Sequence, residues 1–251
     1  MIDFDADSDA DVRSRVRALI VAVAVSLSGL AVGFAVVFGL GAVVVGAGVR
    51  PTPLTALAVS LVAIQGVAFG GVALAYLRYR GWGVGALGVR APDVRELLVV
   101  VAGYALAIAA AVVGAVAVSV TGLPVGENQV ADVGRADPTA FLWLIPASFL
   151  LIGPGEELLF RGVVQGRLRE TFAPVSGVAL ASAVFAAVHF VALTGGAGGR
   201  LVTISVLFLP SLVFGAVYEL TDNLVVPALV HGAYNATLFL LAYVAFRLMG
   251  A

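Results

Sequence analysis

Between Arg17 and Arg50 lie 32 consecutive residues without a charged side chain. A helix rises about 1.5 Å per residue, so about 20 residues cross the ~30 Å hydrocarbon layer of a bilayer. A soluble core has no use for an uncharged helix of this length. It is also too long for the core of a cleavable signal peptide, and no good cleavage site accompanies it. It therefore reads as a retained first span, or as a span plus a short re-entrant piece.

The rest of the chain repeats the pattern. Pro51 and Pro53 end the first span, and a second runs from about Leu54 to Leu77. A polar loop over residues 78–96 carries Arg78, Arg80, Arg90 and Arg95. The third span covers about Leu97 to Val120, and a loop with Glu127, Asp132, Arg135 and Asp137 follows. The fourth span starts near Pro138 and runs to about Arg169. The fifth covers about Val175 to Leu193, the sixth about Leu201 to Tyr218 and the seventh about Leu224 to Phe246. The fold class is all-α: a polytopic membrane bundle of seven helices, or eight if one more is present, with its site inside the membrane. Residues 1–16 form an acidic N-terminal tail, expected to be solvated and disordered. Residues 17–251 form one transmembrane domain, with three N-terminal spans over 17–121 and a core over 138–248. Small-xxx-small spacing at Gly29/Gly33 and Gly66/Gly70 offers close helix contacts, although glycine is simply abundant here.

Composition excludes several functions. Apolar residues make up 61% of the chain and charged ones 12%, against roughly 25% charged in soluble domains. With no cysteine there is no disulfide and no thiolate metal site. All basic residues are arginine and the net charge is -1, so there is no polybasic nucleic-acid surface. With the N-terminus inside, nine loop arginines lie inside (13, 15, 17, 78, 80, 90, 95, 167, 169) and four outside (50, 135, 200, 247). The positive-inside rule then makes the N-terminus cytoplasmic in a cell-membrane protein.

Charge at membrane depth is costly, at least ~2.5–3.5 kcal/mol per residue, and marks functional positions. The fourth span holds Glu156, Glu157 and Arg161 after an uncharged run from Pro138 to Gly155. Gly153-Pro154-Gly155 is expected to kink or unwind the helix just before them. The only two histidines, His189 and His231, also lie within spans, and Asn235 follows His231 by four residues on the same face. By helical rise, Glu156 lies ~20 Å and His189 ~24 Å from the Arg169 end, and His231 with Asn235 ~12–18 Å. An unpaired polar group at that depth is penalised, so their convergence on one layer points to a site. Glu157 pairs with Arg161 four residues on, which leaves Glu156 to face His189 and a water as a general base. For Glu157 and Arg161 alone, an ordinary i,i+4 pair at a helix end would also suffice.

Three short patterns carry a resemblance. Glu156-Glu157-Leu158-Leu159-Phe160-Arg161 is similar to the EExxxR motif of the CPBP family, the Abi-type CAAX prenyl proteases. Phe185-Ala186-Ala187-Val188-His189 resembles its FxxxH motif, and His231-Gly232-Ala233-Tyr234-Asn235 its HxxxN motif. The resemblance covers roughly Phe141 to Leu240. It implies a type-II CAAX intramembrane endopeptidase in which Glu156 and His189 activate water. Glu157 and Arg161 then support the site, and His231 and Asn235 stabilise the oxyanion. It also implies membrane lipid and a protein or peptide substrate, prenylated or otherwise membrane-associated, as partners.

The metal question stays open in the sequence. Zinc commonly takes three protein ligands and a water, and His189, His231 and one glutamate are available. There is no His-Glu-x-x-His helix, the usual signature of soluble zinc proteases. Two non-proteolytic readings also remain: a proton-coupled transporter using the intramembrane Glu/His cluster, and a silent scaffold for partner helices.

Overall fold

A computed structural model describes residues 4–248. Seven helices are long and apolar enough to cross a membrane: Asp11–Gly46, Pro53–Tyr79, Val94–Thr121, Ala140–Arg169, Pro174–Ala192, Ala197–Thr221 and Val225–Arg247. The protein is an all-α, integral membrane helix bundle. Among the described residues, the only strands are two-residue segments, β1 (Glu127–Asn128) and β2 (Leu193–Thr194), paired antiparallel at one end.

Several boundaries differ from the sequence expectation. The first helix is continuous over Phe4–Gly46, with no re-entrant piece. Residues 4–16, expected as a disordered tail, continue that helix; Asp3 lies outside the described residues. The third span begins at Val94 because Asp93 and Glu96 form a reciprocal capping box, each side chain accepting from the other's backbone amide. The fifth tightens into a 3-10 turn over His189–Ala192.

The fourth span is the main correction. Gly153-Pro154-Gly155 does not unwind it. Gly153–Glu157 is one α-helical turn between two wide π-helical stretches, Ser148–Ile152 and Leu158–Gln165. A π turn shifts each bond by one residue, which accommodates a proline lacking its N–H. The two glycines serve close packing instead. A Cβ on Gly153 would sit 2.7 Å from the Ala228 carbonyl oxygen of the seventh span. On Gly155 it would sit 2.3 Å from the Gln65 carbonyl oxygen of the second. The fourth span is thus in backbone contact with a neighbour on each side.

In lipid, helices associate by packing and polar contacts, since the solvent is itself apolar. Gly29 packs against Phe69 and Leu159, and Gly33 against Ile64, so this small-residue pair joins the first span to the second and fourth. Gly66 and Gly70 have no comparably close neighbour. Two apolar clusters result. One gathers Phe69, Leu77, Leu159, Phe160 and Phe185 from the second, fourth and fifth spans, with Ala18 and Ala22 of the first. The other gathers Ala107, Phe214, Val217, Val226, Val230 and Tyr234 from the third, sixth and seventh.

The loop before the third span sets the start of the seventh. Arg90 donates through both terminal nitrogens to Glu96, at 2.7 and 2.6 Å. Asn223 donates to the same carboxylate at 3.3 Å and caps the seventh helix by accepting from Val225 N–H. Leu224 N–H donates to the Leu87 carbonyl. This clamp fixes the helix that carries His231.

Candidate active site

The candidate residues meet between the two apolar clusters. Arg161 is fully buried. Its Nε donates to Glu157 Oε2 at 3.0 Å, and one terminal nitrogen donates to Ser211 Oγ at 2.9 Å. Its guanidinium lies over the Phe185 ring, 5.2 Å from the centroid. Burying an ion pair is tolerable only with such additional bonds.

Glu157 has a second partner that the spacing did not indicate. Its Oε1 lies 2.8 Å from His231 Nδ1. With Glu157 ionised, that nitrogen carries the hydrogen and donates. The His231 ring stacks on Phe214 at 4.6 Å and meets Phe185 edge-on at 5.8 Å. His189 is fixed in the same manner: its Nδ1 lies 2.8 Å from the Phe185 carbonyl oxygen, which can only accept. A neutral ring so oriented carries its lone pair on Nε2, the nitrogen on the Glu156 side in both histidines.

Glu156 Oε2 lies 3.7 Å from His231 Nε2 and 4.0 Å from His189 Nε2, and is buried without a hydrogen-bond partner. These separations exceed a direct hydrogen bond and match groups bridged by a water. The other oxygen, Oε1, accepts from Gln65 Nε2 at 2.8 Å. The His189 side chain is 23% exposed against 4% for His231, so the site opens on the His189 side. Asn235, one turn beyond His231, is half-buried and its amide donates to no other described residue.

Of the residues picked out by spacing and motif, Glu156, Glu157, Arg161, His189 and His231 come together. Asn235 lies on the adjoining turn and touches none of them through a hydrogen bond. The sequence reading missed Gln65 and Ser211. Gln65 carries the only amide side chain of the second span, and that was its one available signal. Ser211 is one serine among several in apolar helices, and nothing local distinguishes it.

The donor types at Glu156, His189 and His231 suit zinc and these three would hold it, although their spacing is somewhat wider than that of an ideal zinc sphere. Ligands at 2.0–2.1 Å in a tetrahedron stand about 3.4 Å apart, closer than the 3.7 and 4.0 Å found. Among the described residues, no group of three or more His, Asp or Glu side chains is gathered as a metal site.

No curated protein and no solved structure matches the chain. Residues 138–237, which hold every residue of this site except Gln65, match the family model described as Type II CAAX prenyl endopeptidase Rce1-like. That segment is similar to the type II CAAX prenyl endopeptidases, in agreement with the resemblance carried by the three motifs.

Proposed function

We propose that the protein is an intramembrane endopeptidase that hydrolyses a peptide bond in a membrane-associated, prenylated or similarly anchored protein with a water activated by Glu156 and His189. One observation carries the reading: a buried, unpartnered carboxylate oxygen facing two imidazole lone pairs at water-bridging distance. Water is held between Glu156 Oε2 and His189 Nε2. Glu156 takes one water proton while the oxygen attacks the carbonyl carbon. The new oxyanion is met by the Asn235 amide N–H and by His231, which donates from Nε2 when doubly protonated beside Glu157. Glu156 returns its proton to the amine nitrogen as the C–N bond breaks and the oxyanion re-forms a carbonyl. The second water proton, left on the new carboxylic acid, then passes to the amine, so the products are a carboxylate and an ammonium group. Arg161 keeps Glu157 ionised, and Glu157 keeps His231 in orientation. The N-terminus is cytoplasmic on this reading, and catalysis proceeds without metal.

The test is cleavage of a fluorogenic peptide library, including farnesylated peptides ending in a CAAX sequence, by detergent-purified protein. Glu156→Gln should remove cleavage while the protein stays folded and monodisperse, and a strong chelator should leave the wild type active. Loss of cleavage with chelator, together with about one bound zinc per chain, would overturn the metal-free mechanism. Retained function in Glu156→Gln would favour a scaffold or transporter role.

A further inference from the structure

The segment matched to the family begins at residue 138. Among the described residues, the one side-chain hydrogen bond to the Glu156 carboxylate comes from outside it, from Gln65 in the second span. We propose that Gln65 is a positioning residue of the site, holding Glu156 Oε1 so that Oε2 stays turned toward His189 and His231. The proposal rests on the reading of Glu156 as the base.

Three observations support it. Gln65 lies within the π-helical stretch Val62–Gly70, an irregularity that often accompanies functional positions. Its backbone carbonyl is pressed against Gly155, the residue before Glu156, where a Cβ would come within 2.3 Å. The backbones are therefore held at a fixed distance, and the amide reaches the carboxylate at 2.8 Å. The Gln65 Oε1 is buried without a partner. Exchanging the amide's two ends would set that oxygen against an ionised carboxylate, so the Nε2–H orientation follows from the chemistry. The carboxylate is thereby held by one oxygen only, with the other left for the reacting groups. The free Gln65 Oε1 is an acceptor that water or a substrate N–H satisfies on binding.

The competing account is that Gln65 simply joins the second and fourth spans, as polar side chains do in bilayers. Gln65→Met keeps the packing and removes the donor; Gln65→Asn keeps an amide on a shorter stem. If Gln65 positions Glu156, the Met variant loses about 10–100-fold in kcat, the usual effect of removing a supporting contact, while KM changes less than about twofold. The Asn variant recovers part of that loss. A merely structural role would lower thermal stability in both variants and leave kcat at the wild-type value. The second readout needs no substrate. The infrared carboxylate band of Glu156, identified as the band lost in Glu156→Gln, should shift in Gln65→Met and stay in place in the neighbouring control Ile64→Val. An unmoved band together with unchanged kcat overturns the proposal. A shifted band in a protein that cleaves no peptide leaves the Gln65 contact standing and overturns the protease reading instead.

Discussion

His231 Nδ1 donates to Glu157 Oε1 at 2.8 Å, while Arg161 donates to the other oxygen of the same carboxylate at 3.0 Å. One buried carboxylate thus joins a histidine of the seventh span to the cation of its own helix. Glu157→Gln keeps the shape and removes the negative charge, stranding the fully buried Arg161. Breaking such a pair costs about 3–5 kcal/mol. Thermal unfolding in detergent should show a large loss of stability, and activity should fall with it. Ser211→Ala removes only one acceptor of the guanidinium and should cost less, about 1–3 kcal/mol.

Gly155 is a contact point between two backbones. Gly155→Ala adds a Cβ within 2.3 Å of the Gln65 carbonyl oxygen, which no side-chain rotation can relieve. The second and fourth spans must separate, and the Gln65–Glu156 hydrogen bond lengthens with them. Activity should fall by at least about tenfold, as expected when a supporting contact is lost. Gly66→Ala, whose new atom would approach nothing closer than 3.9 Å, should behave as the wild type in the same assay.

The clamp at the start of the seventh helix is equally strict. Gly88 has φ 67 and its added Cβ would fall 1.8 Å from the Asp222 carbonyl oxygen. Gly88→Ala is both strained and obstructed. The expected outcome is poor folding yield, measured by monodispersity after purification. Arg90→Ala in the same loop leaves Glu96 with its Asp93 and Asn223 bonds and should be milder.

The β1–β2 end carries a pH dependence. Arg135 hydrogen-bonds Glu127 and holds its carboxyl below the usual carboxylate range, and the Thr139 hydroxyl and amide do the same for Asp137. A group with a depressed folded value contributes stability above its ordinary range, lost as pH falls through the folded value. Both groups are exposed, so the effect is small and local. Hydrogen exchange corrected for intrinsic rates should show residues 126–139 losing protection as pH falls through and below the ordinary carboxylate range, while the bundle interior does not. In Arg135→Gln the share due to Glu127 should disappear.

The spans were legible because an uncharged run such as Ala18–Val49 has only one suitable solvent. The six polar residues at depth were legible for the same reason, since each stands out against an apolar background and three recognisable spacings contain them. The unwinding expected at Gly153-Pro154-Gly155 is absent because glycine and proline signal a break only locally. The packing partners that turn them into close contacts, Ala228 and Gln65, are 75 and 90 residues away in sequence. The pairing of Glu157 with His231 was likewise hidden, since i,i+4 spacing indicates Arg161 and nothing in the chain indicates a second partner.

The sequence by itself determined the solvent, the approximate places of the spans and which side chains lie at depth, because these depend on composition and periodicity along one helix. Only the tertiary structure decided which lone pairs face each other. It did so through helix–helix registers set by backbone approach at Gly153 and Gly155, the π-helical phase shifts around them, and the clamp that starts the seventh span. Those registers turn Glu156 toward two histidines and bring Gln65 to its other oxygen, because a rotation of one residue, about 100° on a helix, would point each of them elsewhere.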